Sequence, residues 1–311
     1  MCGGLCITAG SPPGPIRLRR CPPPFLGSDS DLTPQRLRAK RFTHLSRDLY
    51  VLRDHALDLR TRTQAALLVF PDAVACQRTA ALLQGLPVRD DGVVHLARGV
   101  AAAHSERPGV RVHRGTLDPD EILTLDGLPV TNGPRTYVDL AALLPLEALA
   151  AVGDVVLRRD GAERLRAAVD RRRRCRGLVL ARAVLPLLDA GAGSPAETRA
   201  RLRLHDAGFT ALRHGVVVRD RAGGWLAAPD LADELAKVAV QHDGLVHLLG
   251  DPERRRKDLQ RDEVTRQADW QVVISTAIDD RRPHLLVAKV SDAYRRAGLL
   301  LGTHVLPPHL L

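Results

Sequence analysis

The sequence predicts a mixed α/β (α+β) fold divided between two compact domains. Apolar runs that end at proline or glycine indicate helices, and shorter alternating apolar runs indicate strands. After residue 193 the expected order is helix, three strands, helix, strand and helix, which implies a mixed sheet flanked by helices. With 311 residues, of which 45% are hydrophobic, the chain is long enough for two domains rather than one.

Residues 1–30 are expected to be a disordered leader, or upstream sequence that is not part of the folded protein. They hold a proline run at 22–24 but no continuous apolar stretch of the kind found in a secretory signal. The five cysteines are odd in number and scattered, without zinc spacing, so we expect a reducing, cytoplasmic location. No apolar run approaches the ~20 residues that span a bilayer, so no membrane contact is expected.

The charge balance favours a nucleic-acid partner. The chain has 46 Lys and Arg residues against 36 Asp and Glu, a formal charge of +10, and positive surfaces attract phosphates. Nearly all of the basic residues are arginine, a bias typical of GC-rich bacterial genomes, which offers a mutational explanation for part of this charge. Aromatic residues make up only 3%, which disfavours recognition of single strands by base stacking.

A basic unit, predicted as a short helix followed by a strand, begins near residue 32. Thr33 can cap a helix that has Pro34 at its first position, and residues 44–51 alternate as a strand. This is the outline of a small winged helix that lacks its preceding helix. A solvated basic face on a small subdomain is an equally good interpretation. The candidate DNA-binding residues are Arg36, Arg38, Lys40, Arg41 and Arg47.

An α-rich section with two short strands is expected downstream of this unit. The strands are expected at 93–96 and 110–113. Helices are expected at 62–70, 79–83, 137–144, 146–157 and 162–169. The arginine run 171–174 could contact phosphates or could end a helix, where cations favour the helix dipole, and neither interpretation is preferred.

The segment Ala190–Gly193 is small and flexible, and it predicts a domain boundary between residues 31–190 and 194–301. Directly after it, Ser194-Pro195-x-Glu197 forms a capping box with proline at the first helical position. A helix is therefore expected to begin here and to end near Gly208.

Polar side chains interrupt the apolar strands of this second domain. Asp230 is expected to end the second strand of a hairpin, and Gln241 and Asp243 follow the apolar residues 238–240 on one face of the next strand. Because adjacent strands lie ~4.8 Å apart, Asp230 and Gln241 could share one cation. Mg²⁺ prefers one or two carboxylates plus waters, and it can activate water for phosphodiester cleavage. Glu197 could add a further carboxylate.

His247 could accept a proton from the attacking water. Each of these candidates also has a structural interpretation. A packed surface histidine is the favoured interpretation for His247, and the capping box accounts fully for Glu197. Asp243 with Gly244 would be an ordinary turn if Asp230 were absent.

Taken together, these strings resemble the very-short-patch-repair-like endonucleases of the PD-(D/E)XK superfamily. The resemblance lies in Ser194-Pro195-x-Glu197, Pro229-Asp230-Leu231, the string from Lys237 to His247, Asp258, Arg261-Asp262 and 270–273. It implies a restriction-endonuclease-like sheet and a site for Mg²⁺, with Mn²⁺ as a second candidate cation. Upstream, residues 49–51, 79–87, 128–131 and 135–141 are similar to AbiEi-type antitoxin proteins, which implies DNA binding and a toxin partner.

The chain departs from the endonuclease pattern at important positions. Gln241 stands where the family has glutamate, which keeps an oxygen but removes a negative charge from the cation site. His242 and Asp269 also replace the residues typical of the pattern. Three hypotheses follow: a metal-dependent DNA endonuclease, an antitoxin-like transcriptional repressor, or a degenerate nuclease fold that cuts nothing.

Overall fold

A computed structural model describes residues 24–46, 48–101, 107–219, 223–243, 265 and 268–310. It confirms the mixed α/β (α+β) fold, with helices and several separate sheets. The chain divides into two compact units, residues 1–139 and 140–311. Among the described residues, no helix is both long and apolar enough to cross a membrane.

The first unit opens with a small antiparallel sheet and a short helix. Their bounds are β1 Phe25–Leu26, α1 Pro34–Leu37, β2 Phe42–Ser46 and β3 Leu49–Leu52, and the strand order is β1-β3-β2. The expectation of a disordered leader is therefore wrong for residues 24–30, while residues 1–23 lie outside the described part. The reason is aromatic packing: the ring of Phe25 lies 5.6 Å from that of Phe42 and 6.1 Å from that of Tyr50.

The predicted helix is present, and the predicted strand is part of a hairpin. The Thr33 hydroxyl accepts a hydrogen bond from the Arg36 amide at 3.3 Å, Pro34 begins the helix, and Leu37 is buried. The strand expected over 44–51 is in fact two strands that turn at Asp48, whose φ is 63°. Between residues 24 and 33 the described chain forms a strand and a 3-10 turn, not the further helix of a complete winged helix.

A five-stranded mixed sheet, with order β6-β5-β4-β8-β7, forms the rest of the first unit. Its strands are β4 Val74–Ala75, β5 Val94–Arg98, β6 Val110–Arg114, β7 Ile122–Leu125 and β8 Leu128–Thr131. The helices of this part are α2 Leu59–Val69, α3 Gln77–Leu83 and α4 Gly133–Leu140. One core cluster includes Ala66, Phe70, Ala80, Leu96 and Val130, so α2 and α3 pack on the sheet.

The second unit begins with a group of helices that pack against one another. They are α5 Leu146–Asp160, α6 Ala162–Asp170, α7 Leu178–Val184 and α8 Pro195–Asp206. The Asp154 carboxylate on α5 is 1% exposed and accepts hydrogen bonds from the Asp189 amide at 2.7 Å and the Thr198 hydroxyl at 2.8 Å. It also pairs with Arg201 at 3.2 Å.

The observed units therefore divide between residues 139 and 140, not at the segment 190–193 expected from the sequence. The physical reason is that a buried carboxylate on α5 binds donors on both sides of that segment. A compact unit that contains α8 must also contain α5.

The C-terminal sheet is mixed, as expected, with order β11-β12-β13. Its strands are β11 Leu231–Asp233, β12 Val238–Asp243 and β13 Gln271–Thr276, and a separate hairpin consists of β9 Val218–Arg219 and β10 Trp225–Ala227. β12 is antiparallel to β11 and parallel to β13. The last helices are α9 Ala277–Arg281 and α10 Pro283–Leu301. The helix expected over 252–268 lies outside the described residues, apart from residues 265 and 268.

The two faces of this sheet are buried by different neighbours. Leu231, Val240 and Val273 share a core cluster with residues of α8 and α10. Ala232 and Ala239 belong to a second cluster with Trp270 and the β9–β10 hairpin. Alternation along β12 places Gln241 on the same face as Ala239.

Candidate functional site

The structure brings two of the predicted site residues, Asp230 and Gln241, into direct contact. Leu231 pairs with Val240 across β11 and β12, so Asp230 lies beside Gln241 at the end of the antiparallel ladder. The Gln241 amide nitrogen donates to Asp230 Oδ2 at 3.2 Å, and the backbone amide of His242 donates to the same oxygen at 2.5 Å. Asp230 itself lies just before β11, not at the end of β10 as expected.

The carboxyl group of Asp230 is half-buried, and its pKa is raised above the usual range. Burial is the main cause, because the charged form loses hydration, and the negative charge of Glu197 acts in the same direction. The hydrogen bond from the His242 amide and the charges of His242 and His214 oppose this shift. Asp230 is therefore within electrostatic reach of both Glu197 and His214.

Glu197 has the structural role that the capping box predicts, in a modified form. Its backbone amide donates to the Ser194 hydroxyl at 3.3 Å, and its Oε2 accepts from the Gly193 amide at 2.7 Å. The side chain thus binds the residue before the N-cap instead of the N-cap itself. Glu197 contributes negative charge to the surroundings of Asp230 while its carboxylate remains tied to the start of α8.

His214 belongs to these surroundings, although no sequence pattern singles it out. Its Nε2 is buried and has no hydrogen-bond partner within the described part of the chain. Gly191 packs directly against it, because a Cβ built on Gly191 would lie 2.5 Å from that of His214. No spacing pattern links His214 to Asp230, so only the folded arrangement reveals their electrostatic interaction.

The structure describes the remaining predicted site residues only in part. Asp243 ends β12 and its backbone pairs with Thr276, but its side chain lies outside the described part, as does the whole of His247. Four of the candidate DNA-binding residues are exposed on and after α1, namely Arg36, Arg38, Lys40 and Arg41. Arg47 lies outside the described residues.

The described side chains do not fit the Mg²⁺ site that the sequence predicts. Among them, no group of three or more His, Cys, Asp or Glu residues could hold a metal ion. At Asp230 the neighbouring amide presents a donor, whereas a cation needs an acceptor oxygen. A carboxylate and a donating amide can hold each other, but they do not form a cation site in this arrangement.

A cleft of about 750 Å³ lies elsewhere in the second unit. Its lining includes Gly208, Arg213, Asp233, Glu234 and His304, but neither Asp230 nor Gln241. The Asp233 carboxylate accepts a hydrogen bond from the Tyr294 hydroxyl at 2.7 Å and from the amides of Leu235 and Ala236. Asp233 is therefore a buried structural acid of the β11 turn.

These features define a mixed α/β protein with an acid–amide pair at the end of its C-terminal sheet. Two proteins of Mycobacterium tuberculosis are similar to it, the uncharacterized protein MT2308 of strain CDC 1551 / Oshkosh and the uncharacterized protein Rv2248 of strain ATCC 25618 / H37Rv. Each is 31% identical over 246 residues, which cover 75% of this chain and 88% of the relative. No family model matches the chain. The chain belongs to the same family as these two mycobacterial proteins.

Proposed function

We propose that this chain is a cytoplasmic DNA-binding protein whose region 194–301 is an endonuclease-like domain with impaired phosphodiester hydrolysis. The proposal combines the resemblance to very-short-patch-repair-like endonucleases with the substitution of glutamine for glutamate at position 241. The AbiEi-like upstream region would supply DNA contacts, and a cognate toxin would be its protein partner.

One observation supports this proposal above the others: Asp230 and Gln241, chosen from the sequence, are in contact across two strands. Glu197, chosen for the same site, acts on Asp230 electrostatically. Residues from β12 and from just before β11 therefore meet at one end of the sheet, within electrostatic reach of Glu197 on α8. Such convergence is what a site for phosphodiester chemistry requires, because charge on the phosphate must be stabilised while water attacks.

The impairment follows from the chemistry of Gln241. A neutral amide cannot replace the negative charge that a glutamate would supply, and in this structure its nitrogen is turned towards Asp230. Cation-assisted hydrolysis derives several kcal/mol of transition-state stabilisation from the metal. We therefore expect cleavage by the wild-type chain to be very slow or not detectable.

Plasmid nicking tests this proposal directly. We would incubate supercoiled plasmid with the full chain, Gln241→Glu, Asp230→Ala and the double variant, with Mg²⁺ and with Mn²⁺. We expect no nicking by the wild type, nicking by Gln241→Glu, and none by either variant that lacks Asp230.

The alternative outcomes separate the hypotheses. Nicking by the wild type that Asp230→Ala abolishes would mean an active endonuclease and would overturn the impairment. If neither the wild type nor Gln241→Glu cuts plasmid or mismatched DNA, the endonuclease interpretation loses its functional content. DNA binding by the full chain, measured by fluorescence anisotropy, then decides whether any DNA-directed function remains.

A second candidate function is transcriptional repression of the antitoxin type, and the exposed basic residues of the α1–hairpin unit favour it. Replacing Arg36, Arg38, Lys40 and Arg41 with alanine should weaken DNA binding and reduce its salt dependence. Each lost phosphate contact lowers the slope of log K against log salt by about 0.9.

A matched control removes four exposed arginines that are not candidate DNA contacts, namely Arg164, Arg166, Arg281 and Arg282. Equal losses in the two quadruple variants would indicate general charge attraction and not a specific DNA-binding element. A repressor should also bind one duplex sequence far more tightly than random DNA of the same length.

A further inference from the structure

We infer that the β9–β10 hairpin is a DNA-contacting element of the second unit, in which Trp225 packs against duplex DNA and Arg219 binds an adjacent phosphate. The inference rests on the proposed function, because it takes duplex DNA to be the molecule that reaches Asp230. It concerns binding beside that residue, and neither cleavage nor a metal ion enters it.

The side chain of Trp225 is 61% exposed, although tryptophan is highly buried on average. The two tryptophans, three tyrosines and four phenylalanines of the chain all lie within its described part, and the others are buried or partly buried. A single exposed apolar residue indicates nothing about function by itself. What distinguishes Trp225 is its setting in the hairpin.

A β-bulge in the hairpin turns Trp225 outward. The two residue pairs of the ladder are Trp225 with Arg219 and Ala227 with Val218, so Leu226 is an extra residue on β10. In a regular strand Trp225 and Ala227 would face the same side, yet Ala227 is only 5% exposed. Bulges re-aim side chains in this way. The hairpin therefore anchors Val218 and Ala227 on the sheet while it presents Trp225 to solvent.

Arg219 adds a positive charge next to the exposed ring. Residues directly opposite each other on antiparallel strands have neighbouring side chains on one face, and Arg219 is exposed like its partner Trp225. Its Nη1 donates to the Gly223 carbonyl at 3.0 Å, and no carboxylate in the described part of the chain pairs with it. An aromatic ring beside a guanidinium with unused donors suits nucleic acid, because the ring can pack on bases and the cation can bind phosphate.

The hairpin adjoins Asp230 on the face of the sheet where Gln241 lies. It shares a core cluster with Ala239, and Gln241 faces the same side of β12 as Ala239. Trp225 is five positions before Asp230, and five residues span at most about 18 Å. That length corresponds to about five base pairs at ~3.4 Å each. A duplex with a phosphate at Asp230 can therefore reach the hairpin.

Tryptophan fluorescence tests the inference, because Trp225 is exposed whereas the other tryptophan, Trp270, is only 6% exposed. We would measure quenching by acrylamide in the full chain, without DNA and with a saturating duplex of mixed sequence. In the wild type, DNA should protect most of the accessible emission from acrylamide. Trp225→Phe retains only Trp270, so its quenching should be weak and should not change when DNA is added.

Fluorescence anisotropy with the same duplex measures what the hairpin contributes to affinity. Trp225→Ala should weaken binding by about tenfold, and Trp225→Tyr, which keeps an aromatic ring, should weaken it less. Arg219→Gln should lower the slope of log K against log salt by about 0.9. Leu299→Ala and Arg164→Gln are matched controls, since both residues are exposed on helices of the same unit, and each should have little effect.

Two results would overturn the inference while the proposed function stands. One is DNA binding that leaves the acrylamide quenching of Trp225 unchanged, because the ring would then lie outside the DNA contact. The other is protection of Trp225 without DNA that grows with protein concentration, because the hairpin would then bind a second copy of the chain. If anisotropy detects no binding of any duplex, the proposed function fails and this inference fails with it, so the two failures are distinguishable.

Discussion

Asp154 is a buried carboxylate of the second unit with several polar partners. The carboxylate is 1% exposed, and it binds the Asp189 amide, the Thr198 hydroxyl and the Arg201 guanidinium. Its pKa is raised, because burial outweighs the donors that stabilise its charge. Asp154 therefore contributes to stability mainly by accepting hydrogen bonds from these buried donors and by pairing with the guanidinium.

Replacing Asp154 with alanine should destabilise the chain strongly. The change leaves the Arg201 guanidinium, whose side chain is only 12% exposed, without its carboxylate and the Asp189 amide without its acceptor, and removing one partner of a buried pair typically costs about 3–5 kcal/mol. Urea unfolding followed by circular dichroism measures this. Asp292→Ala is the control, since Asp292 pairs with Arg295 at the surface and both side chains are about 60% exposed. Equal midpoints for the two variants would contradict the structural role assigned to Asp154.

Two histidines of the first unit form a hydrogen-bonded chain with an aspartate. His95 is 3% exposed, its Nε2 lies 3.0 Å from Asp91 Oδ2, and its Nδ1 lies 3.0 Å from His113 Nε2. The ring centroids are 5.3 Å apart and the ring planes differ by 13°, so the rings meet at their edges. Burial, together with the charges of His95 and Arg111, lowers the pKa of His113 to about 4.

The lowered pKa of His113 implies that mild acid destabilises the first unit. An unfolded histidine titrates near pH 6.5, so between about pH 6.5 and 4 the unfolded chain binds more protons than the folded chain. Stability should therefore be full above pH 6.5 and decrease as the pH falls towards 4. Between pH 7 and 5 we expect a loss of about 1 kcal/mol, allowing for solvent screening at a half-buried ring.

The measurement is the urea midpoint of the first unit's transition at pH 7 and pH 5, in the wild type and in His113→Gln. The variant should be less stable at pH 7 but less sensitive to pH. His44→Gln is a suitable control, because His44 is exposed on β2. An unchanged pH dependence in His113→Gln would show that other groups cause the acid sensitivity.

At the scale of elements, two substitutions at the start of α8 test whether Glu197 only caps the helix or also belongs to the site at Asp230. Ser194→Ala removes an N-cap acceptor and should cost about 1 kcal/mol of stability. Glu197→Gln keeps an oxygen that can accept from the Gly193 amide at 2.7 Å, so its effect on stability should be smaller. In the Gln241→Glu background, however, Glu197→Gln removes a negative charge that acts on Asp230 and should reduce the Mn²⁺-dependent nicking expected of Gln241→Glu.

Melting temperatures and plasmid nicking of both variants distinguish these roles. Ser194→Ala in the same background should lower the Tm but leave nicking unchanged below the unfolding transition. If Glu197→Gln also lowers the Tm without reducing nicking, the residue is a helix cap and nothing more.

The elements that the sequence predicted well are those with signals confined to a few neighbouring residues. Thr33 and Pro34 marked the start of α1, and Ser194-Pro195-x-Glu197 marked the start of α8. The two-residue strand β4 was missed, because Val74 and Ala75 show no periodicity and join the sheet only through distant partners. Short strands of this kind depend on tertiary pairing.

The same reasoning explains which site residues could be predicted. The contact between Asp230 and Gln241 followed from strand patterning, since adjacent strands place such residues side by side. His214 and the pair His95–His113 were not predictable, because their partners are defined by packing and not by spacing. His95 and His113, for example, are 18 positions apart, and contacts at such separations leave no local signal.

At the scale of the whole molecule, the position of the domain boundary has a testable consequence. Residues 194–301 leave out Asp154 and Glu147, which pair with Arg201 at 3.2 Å and Arg203 at 2.8 Å. They also leave out Val305, which is buried in the same core cluster as Leu204 and Tyr294. A fragment with these ends exposes apolar surface and leaves Arg201 without its carboxylate, whereas Arg203 keeps its ion pair with Asp280.

We therefore expect residues 140–311 to fold when expressed alone, and residues 194–301 to remain largely unfolded. The longer fragment keeps the α5–α8 packing and the closing segment after α10, so its urea transition should be cooperative, with a midpoint close to that of the same unit in the full chain. The shorter fragment should show weak far-ultraviolet dichroism and no sharp transition. In the longer fragment, Asp154→Ala/Arg201→Leu should recover part of the stability lost by Asp154→Ala alone, because it removes the unpaired cation. A cooperative transition for residues 194–301 would instead mean that the sheet and α8 fold independently of α5, and that the boundary read from the sequence at 190–193 is the physical one.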